Sequence, residues 1–263
     1  MYMVKIILHH LGLGDQIMLN GMVRHFAETD TVCIFCKKCQ LESVEFMYRD
    51  ISEKVKVIPL ETTSVSEIQE KIRTYKNATV IPLATYGMDD TSWSAYTKMT
   101  NWARGVYLQA KLNPLYMYTK FKVERDRSIE IGNSKECDWP AELWEKVDED
   151  MAIVKDYIFV HDDPERDRYI HVKSDLHIYK PHSKLIDKKQ ELFQCEHPNI
   201  FAYVSLIERA KEVHCMNSSY NWMIELMKLG DKTKNNFHVN VAHTYYTPDI
   251  VKTVFSDSMW TFV

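Results

Sequence analysis

The sequence predicts an α/β protein built of two Rossmann-like halves facing a central cleft. Three observations lead there. Strand-like and helix-like periods alternate along the first third of the chain and again from residue 156 onward. Two strand-to-helix turns, at Leu11–Asp15 and Asn217–Ser219, carry glycines or hydroxyls where open α/β sheets bind ligands. The length, 263 residues, exceeds the common size of one domain. The halves are expected at 1–140 and 141–263.

The elements follow from local periodicity. Val4–Leu8 is a short apolar strand. From Asp15 to Glu28, Met18, Met22 and Phe26 recur at helical spacing, with Leu19 and Val23 beside them. Thr31–Phe35 is strand. Leu41, Val44 and Tyr48 mark a helix, and Val55–Leu60 a third strand. Ser64 and Glu67 form a capping-box pattern ahead of Ile68 and Ile72. Ala78–Leu83 is a fourth strand. Ser92–Leu112 reads as helix, and Trp139–Asp150 as a short one. In the second half, Asp156–Val160, Tyr169–Val172, Leu176–Tyr179, Glu212–Met216 and Phe237–Val241 read as strands. Ile200, Val204 and Ile207 mark a helix. Another carries Trp222, Leu226 and Leu229, with Asn217–Ser219 as its cap and Gly230 as its stop. Thr247-Pro248 opens a last helix with proline at its first position.

Composition narrows the function classes. Hydrophobic residues make up 45%, enough for a real core. The 33 basic and 37 acidic side chains give a net charge of -4, which excludes a general nucleic-acid binder. No apolar run is long enough to span a bilayer. The opening MYMVKIILHHLGLGD lacks the pattern of a secretory signal, so a cytoplasmic location and reduced thiols are expected for the six cysteines. Cys33, Cys36 and Cys39 read as strand and strand-end residues. The alternative, a zinc site, lacks its second ligand pair. The eleven histidines show no paired ligand spacing, so no metal is expected.

The first strand runs into His9-His10-Leu11-Gly12-Leu13-Gly14-Asp15-Gln16-Ile17. Gly12 and Gly14 allow close approach of a ligand to the backbone. The helix start supplies free N–H groups and a positive dipole end. The third glycine of a dinucleotide fingerprint is replaced by Ile17, and Lys37-Lys38 stand where an acidic residue would be, which counts against NAD. Asp15 has two readings, a helix cap or a general base within reach of an attacking hydroxyl. Gln16 and His10 are candidate substrate contacts, although a lone strand-end histidine such as His10 is more often structural. The stretch HHLGLGDQIMLNGMVRHF resembles the opening of GT-B glycosyltransferases related to the bacterial heptosyltransferases. The resemblance implies that Asp15 is the catalytic base.

In the second half, Val160-His161-Asp162-Asp163-Pro164-Glu165-Arg166-Asp167-Arg168-Tyr169 follows a strand. It resembles the His-x-Arg-Arg-Gly-Asp-Tyr motif of GT-B fucosyltransferases, which implies that His161 and either Arg166 or Arg168 hold a donor diphosphate. The glycine of that motif is missing here and the spacing is longer. Asp162 and Asp163 are adjacent, so on extended backbone they point to opposite sides and suit one metal ion poorly. Glu212-Val-His-Cys-Met-Asn-Ser-Ser-Tyr-Asn-Trp222 resembles the donor-binding Ser-Asn-Ser-Thr-Phe-Ser-Trp-Trp segment of the same family. Asn217, Ser218, Ser219 and Tyr220, with the first N–H groups of the helix, are the candidate diphosphate cradle, and Lys180 is a candidate helper. Trp93, Tyr96, Trp102 and Tyr107 read as a buried helix face, or as a sugar-stacking surface.

Together these readings imply a compact GT-B glycosyltransferase, inverting and metal-independent. Its donor would be a nucleotide diphosphate sugar, with no further cofactor, and its acceptor a glycan or other hydroxyl compound. The alternatives are a non-catalytic nucleotide- or glycan-binding protein on the same scaffold, or a Rossmann-type oxidoreductase.

Overall fold

The computed structural model describes residues 3–83, 102–132, 144–148, 151–154, 156–163, 166–181, 197–230, 234–242, 248–252, 254–255 and 259–263. The chain divides into two compact units, Met1–Glu124 and Arg125–Val263. It is an α/β protein with one parallel sheet of four strands and another of five, compatible with Rossmann-like halves.

The first unit alternates β1 (Val4–Leu8), α1 (Leu13–Ala27), β2 (Thr31–Lys37), α2 (Leu41–Tyr48), β3 (Val55–Leu60), α3 (Val65–Arg73) and β4 (Thr79–Pro82). Its sheet has the order β3-β2-β1-β4. In β2 every residue from Val32 to Cys36 is buried, as befits a parallel strand covered on both faces. Cys33 and Cys36 are therefore core residues, while Cys39 is exposed on the turn that follows. Ser64 caps α3 by accepting the Glu67 N–H. Glu67 does not close the expected reciprocal box; its carboxylate accepts from the Glu61 and Thr62 N–H groups instead. Beyond β4 lie α4 (Trp102–Gln109) and α5 (Tyr116–Thr119). The Tyr107 hydroxyl enters the hydrogen-bond ladder of α1, donating to the Met18 carbonyl at 2.9 Å and accepting from the Met22 N–H at 3.1 Å. Tyr107 thus has the buried-face role. Trp93 and Tyr96 lie outside the described residues, as do residues 92–101 of the expected Ser92–Leu112 helix.

The division between units falls at 124/125, upstream of the 140/141 expected. Arg125 donates to both Glu130 and Glu208, and the Ile131 N–H donates to the Ala202 carbonyl, which ties 125–132 into the second unit.

The second unit opens with an antiparallel pair, β5 (Trp144–Asp148) and β6 (Met151–Val154). Within 144–148 this corrects the short helix expected over 139–150: Trp144 and Val147 stand three apart, a helical spacing, but the segment pairs antiparallel with the strand directly after it. Next come β7 (Tyr157–His161), β8 (His177–Tyr179), a 3₁₀ turn at 200–203 leading into α6 (Val204–Arg209), β9 (Glu212–Met216), α7 (Ser219–Met227), β10 (Asn235–His238), α8 (Val239–Ala242), α9 (Pro248–Lys252) and β11 (Thr261–Phe262). The sheet order is β11-β10-β9-β7-β8. Counted within this sheet, the order is second, first, third, fourth, fifth, a doubly wound arrangement.

Three expectations are corrected here. Tyr169–Val172 does not pair as a strand, because the Ile170 N–H is taken by the Asp162 carboxylate at 3.2 Å. The strand expected to reach Val241 stops at His238: its register partner there is Met216, the last residue of β9, and helix follows. The left-handed residue that ends α7 is Lys228, with φ 56, rather than Gly230.

Candidate functional site

Both sheets reverse their direction of growth at one point, and ligands in open α/β sheets bind beyond the carboxyl ends of the strands that flank such a point. In the first unit the flanking strands are β1 and β4, which pair in register from Lys5 with Thr79 to Leu8 with Pro82. Residues 9–16 leave the carboxyl end of β1. In the second unit the flanking strands are β7 and β9, where His161 pairs with Cys215. Residues 162–168 leave one and 217–219 the other.

In the first unit Gly12 is the cap of α1, and Asp15 stands at the third helical position. Asp15 folds back so that its carboxylate accepts the Gly12 N–H. A Cβ on Gly12 would stand 2.6 Å from Asp15 Oδ2, so the carboxylate occupies the space that a larger residue at 12 would need. Gly12 has φ -72, an ordinary value, so its glycine serves close packing rather than unusual backbone. Burial raises the Asp15 pKa from 3.8 to about 6, against the opposing pull of the Gly12 N–H and the Lys37 ammonium. The carboxylate thus serves a helix-end donor from the third helical position, while the cap itself is Gly12.

The neighbours separate into two groups. Gln16 is buried and donates its amide to the Phe35 carbonyl at 2.6 Å, which clamps the first turn of α1 to β2. Gly14 lies inside the first turn of α1, and His10 is exposed beside it. His9 is the residue that sequence reasoning passed over. It is buried, and its Nδ1 accepts the Leu11 N–H at 3.2 Å. Burial, with His10 adding to it, lowers its pKa to about 4, so the ring is neutral near pH 7. Leu11 takes a left-handed backbone with φ 63. No sequence pattern marks a histidine for this duty, which belongs more often to Asn or Asp.

In the second unit His161 ends β7 with its ring centroid 4.1 Å from that of Tyr220. Tyr220 also packs against Phe159 and Tyr203 and is buried. It is a core residue. Asp162 is buried and accepts from Lys180 Nζ and the Ile170 N–H. Lys180 is thereby committed to holding the strand end and the loop together. Asp163 and Arg168 close the intervening loop through paired backbone bonds of 2.9 and 3.0 Å. Arg166 reaches Asp163 at 3.3 Å with 66% of its side chain exposed, so it is the more exposed of the two guanidinium candidates. Ser218 caps α7, and its own N–H donates to Asn221 Oδ1 at 2.5 Å. Asn217, Ser218 and Ser219 are half-buried at the carboxyl end of β9, beside the end of β7.

Each unit thus brings its own constellation to its own switch point. Asp15 with Gly12 and Gly14 forms one. His161, Asp163, Arg166, Arg168 and the 217–219 turn form the other. No helix among the described residues is long and apolar enough to cross a membrane. No family model, no curated protein and no solved structure matches the chain.

Proposed function

We propose that the chain is a cytoplasmic glycosyltransferase of the GT-B kind that moves a sugar from a nucleotide diphosphate sugar to a hydroxyl acceptor, with inversion and without a required metal. The observation that carries this reading is the placement of a carboxylate with pKa near 6 at the switch point of one sheet, and of a hydroxyl-rich helix start with nearby guanidinium groups at that of the other. Both are the positions at which an open α/β sheet offers a ligand to chemistry.

Asp15 takes the proton from the acceptor hydroxyl as its oxygen attacks the anomeric carbon. The bond from that carbon to the diphosphate oxygen breaks on the opposite face, and the leaving diphosphate carries the electron pair away. A base with pKa near the working pH combines ionisation with proton affinity. The N–H groups that open α7, the Ser218 and Ser219 hydroxyls and Arg166 or Arg168 meet the charge that grows on the diphosphate. A second reading, donor or glycan binding without transfer, is favoured by the pairing of Lys180 with Asp162 and of Arg166 with Asp163, which spends positive charge near the cradle.

Assay of Asp15→Asn against a panel of nucleotide sugars separates them. The reading as a transferase expects donor affinity to persist while turnover falls by about 10²–10⁴-fold, the usual contribution of a positioned base. Donor binding with no transfer or hydrolysis by the wild type selects the binding protein, and near-normal turnover by Asp15→Asn removes Asp15 from the role of base.

A further inference from the structure

We propose that His9 is a positioning residue that fixes the Asp15 carboxylate, by accepting the Leu11 N–H and so locking the turn between β1 and α1. The idea rests on the reading of Asp15 as the base, and it assigns the device that controls where that base stands.

The turn is unusual in its chemistry. Leu11 is not a glycine, yet it holds φ 63, a region that L side chains rarely adopt. Two contacts hold it there. Its side chain packs into the core formed by Leu8, Phe35, Leu60 and Ile68. Its N–H is taken by His9 Nδ1 at 3.2 Å in a buried setting. An acceptor at one residue and the N–H two residues on is the geometry of an Asx turn, here built from an imidazole. The left-handed step at Leu11 sets the direction in which Gly12 caps α1, and Asp15 is anchored on the Gly12 N–H. With the Asp15 oxygen 2.6 Å from a Cβ position on Gly12, a small rotation of the turn displaces the carboxylate. Gln16, bonded to Phe35, holds the far side of the same turn, so His9 and Gln16 fix it from both ends. His9 remains a neutral acceptor over the range in which Asp15 ionises, since burial inverts their ordinary order, taking His9 down to about 4 and Asp15 up to about 6.

Two substitutions divide the imidazole's properties. His9→Phe keeps a buried ring and removes the acceptor. His9→Asn loses the ring and restores an oxygen that can take the Leu11 N–H. Asp15 is followed by carboxyl-carbon NMR titration in each protein, and sugar transfer is measured against pH. The expected result is an Asp15 titration that moves down toward ordinary carboxylates in His9→Phe and returns in His9→Asn. Transfer should fall by up to about a hundredfold in His9→Phe, as for a reacting group misplaced by an ångström, and recover in His9→Asn. A folded His9→Phe protein in which Asp15 titrates as in the wild type overturns the proposal. If His9→Phe fails to fold, hydrogen exchange of the Leu11 amide in the wild type decides. Protection that collapses as pH falls through about 4 supports the lock, and a Leu11 amide that is unprotected throughout overturns it. The titration and the exchange need no turnover. A chain without transferase activity whose Asp15 still responds to His9 would sink the enzyme reading alone.

Discussion

Asp15 is held in the folded chain at the cost of stability. Its pKa rises from 3.8 to about 6, so the native state prefers the protonated acid. Its contribution is fully favourable below about pH 4 and is lost as pH rises through about 6. Asp15→Asn is therefore expected to be more stable than the wild type at pH 8, by roughly 1–3 kcal/mol, and to lose that advantage below pH 4. Thermal unfolding at the two pH values reads this out, and a variant less stable at pH 8 contradicts it. The histidines run the other way. Burial lowers His9 and His238 from 6.5 to about 4, and His214, bonded to His238 at 2.9 Å, adds to the effect at His238. Each keeps its full contribution above pH 6.5 and loses it as pH falls toward 4. His238→Gln should flatten part of the acid limb of a stability-against-pH curve. Gly12→Ala has the opposite logic to both. Its backbone is ordinary, so stability should change little, while the Cβ meets the Asp15 carboxylate and transfer should fall. Unchanged transfer in Gly12→Ala would show that the position of the carboxylate does not matter.

At the scale of elements, α1 is the piece on which the first unit depends. Its start carries Asp15, and its middle is gripped from outside. A Cβ on Gly21 would stand 2.0 Å from the Tyr116 carbonyl, so α5 lies directly on the α1 backbone at that point. Gly21→Ala gains up to about 1 kcal/mol of helix propensity but forces two backbones apart. The net expectation is a loss of about 1–3 kcal/mol, as for other overpacked sites, measurable by denaturant unfolding. This element also shows what the sequence could and could not say. The apolar spacing of Met18, Met22 and Val23 made the helix legible, and the strands β2 and β7 were legible because burial on both faces writes itself as continuous apolar residues. Tyr107 inside the α1 ladder was not legible, since that hydrogen bond joins residues far apart in the chain. Nor was the two-residue β11, which is too short to carry a period. The Trp144–Asp148 strand was misread because a five-residue segment with two apolar positions fits either period until its partner is known.

For the whole molecule, the two-unit plan was legible from alternation alone, while its boundary depended on tertiary bonds. Arg125, paired with Glu130 and Glu208, fixes the division more firmly than any proline or glycine signal. The places of Asp15 and Ser218 at strand-to-helix turns were legible because such turns are local. The duties of Gln16, Lys180 and Tyr220 were set by Phe35, Asp162 and Phe159, partners that lie elsewhere in the sequence. The proposed function calls on Asp15 and on Ser218 and Ser219 in the same reaction. It is tested most directly by titrating UDP-, GDP- and ADP-sugars into nitrogen-15-labelled protein while following the amides of Gly12, Gly14 and Asp15 together with those of Ser218 and Ser219. The account predicts that one of these donors perturbs both groups over the same concentration range. A donor that saturates the 218–219 amides and leaves those of residues 12–15 untouched, even with acceptor sugars present, would contradict it.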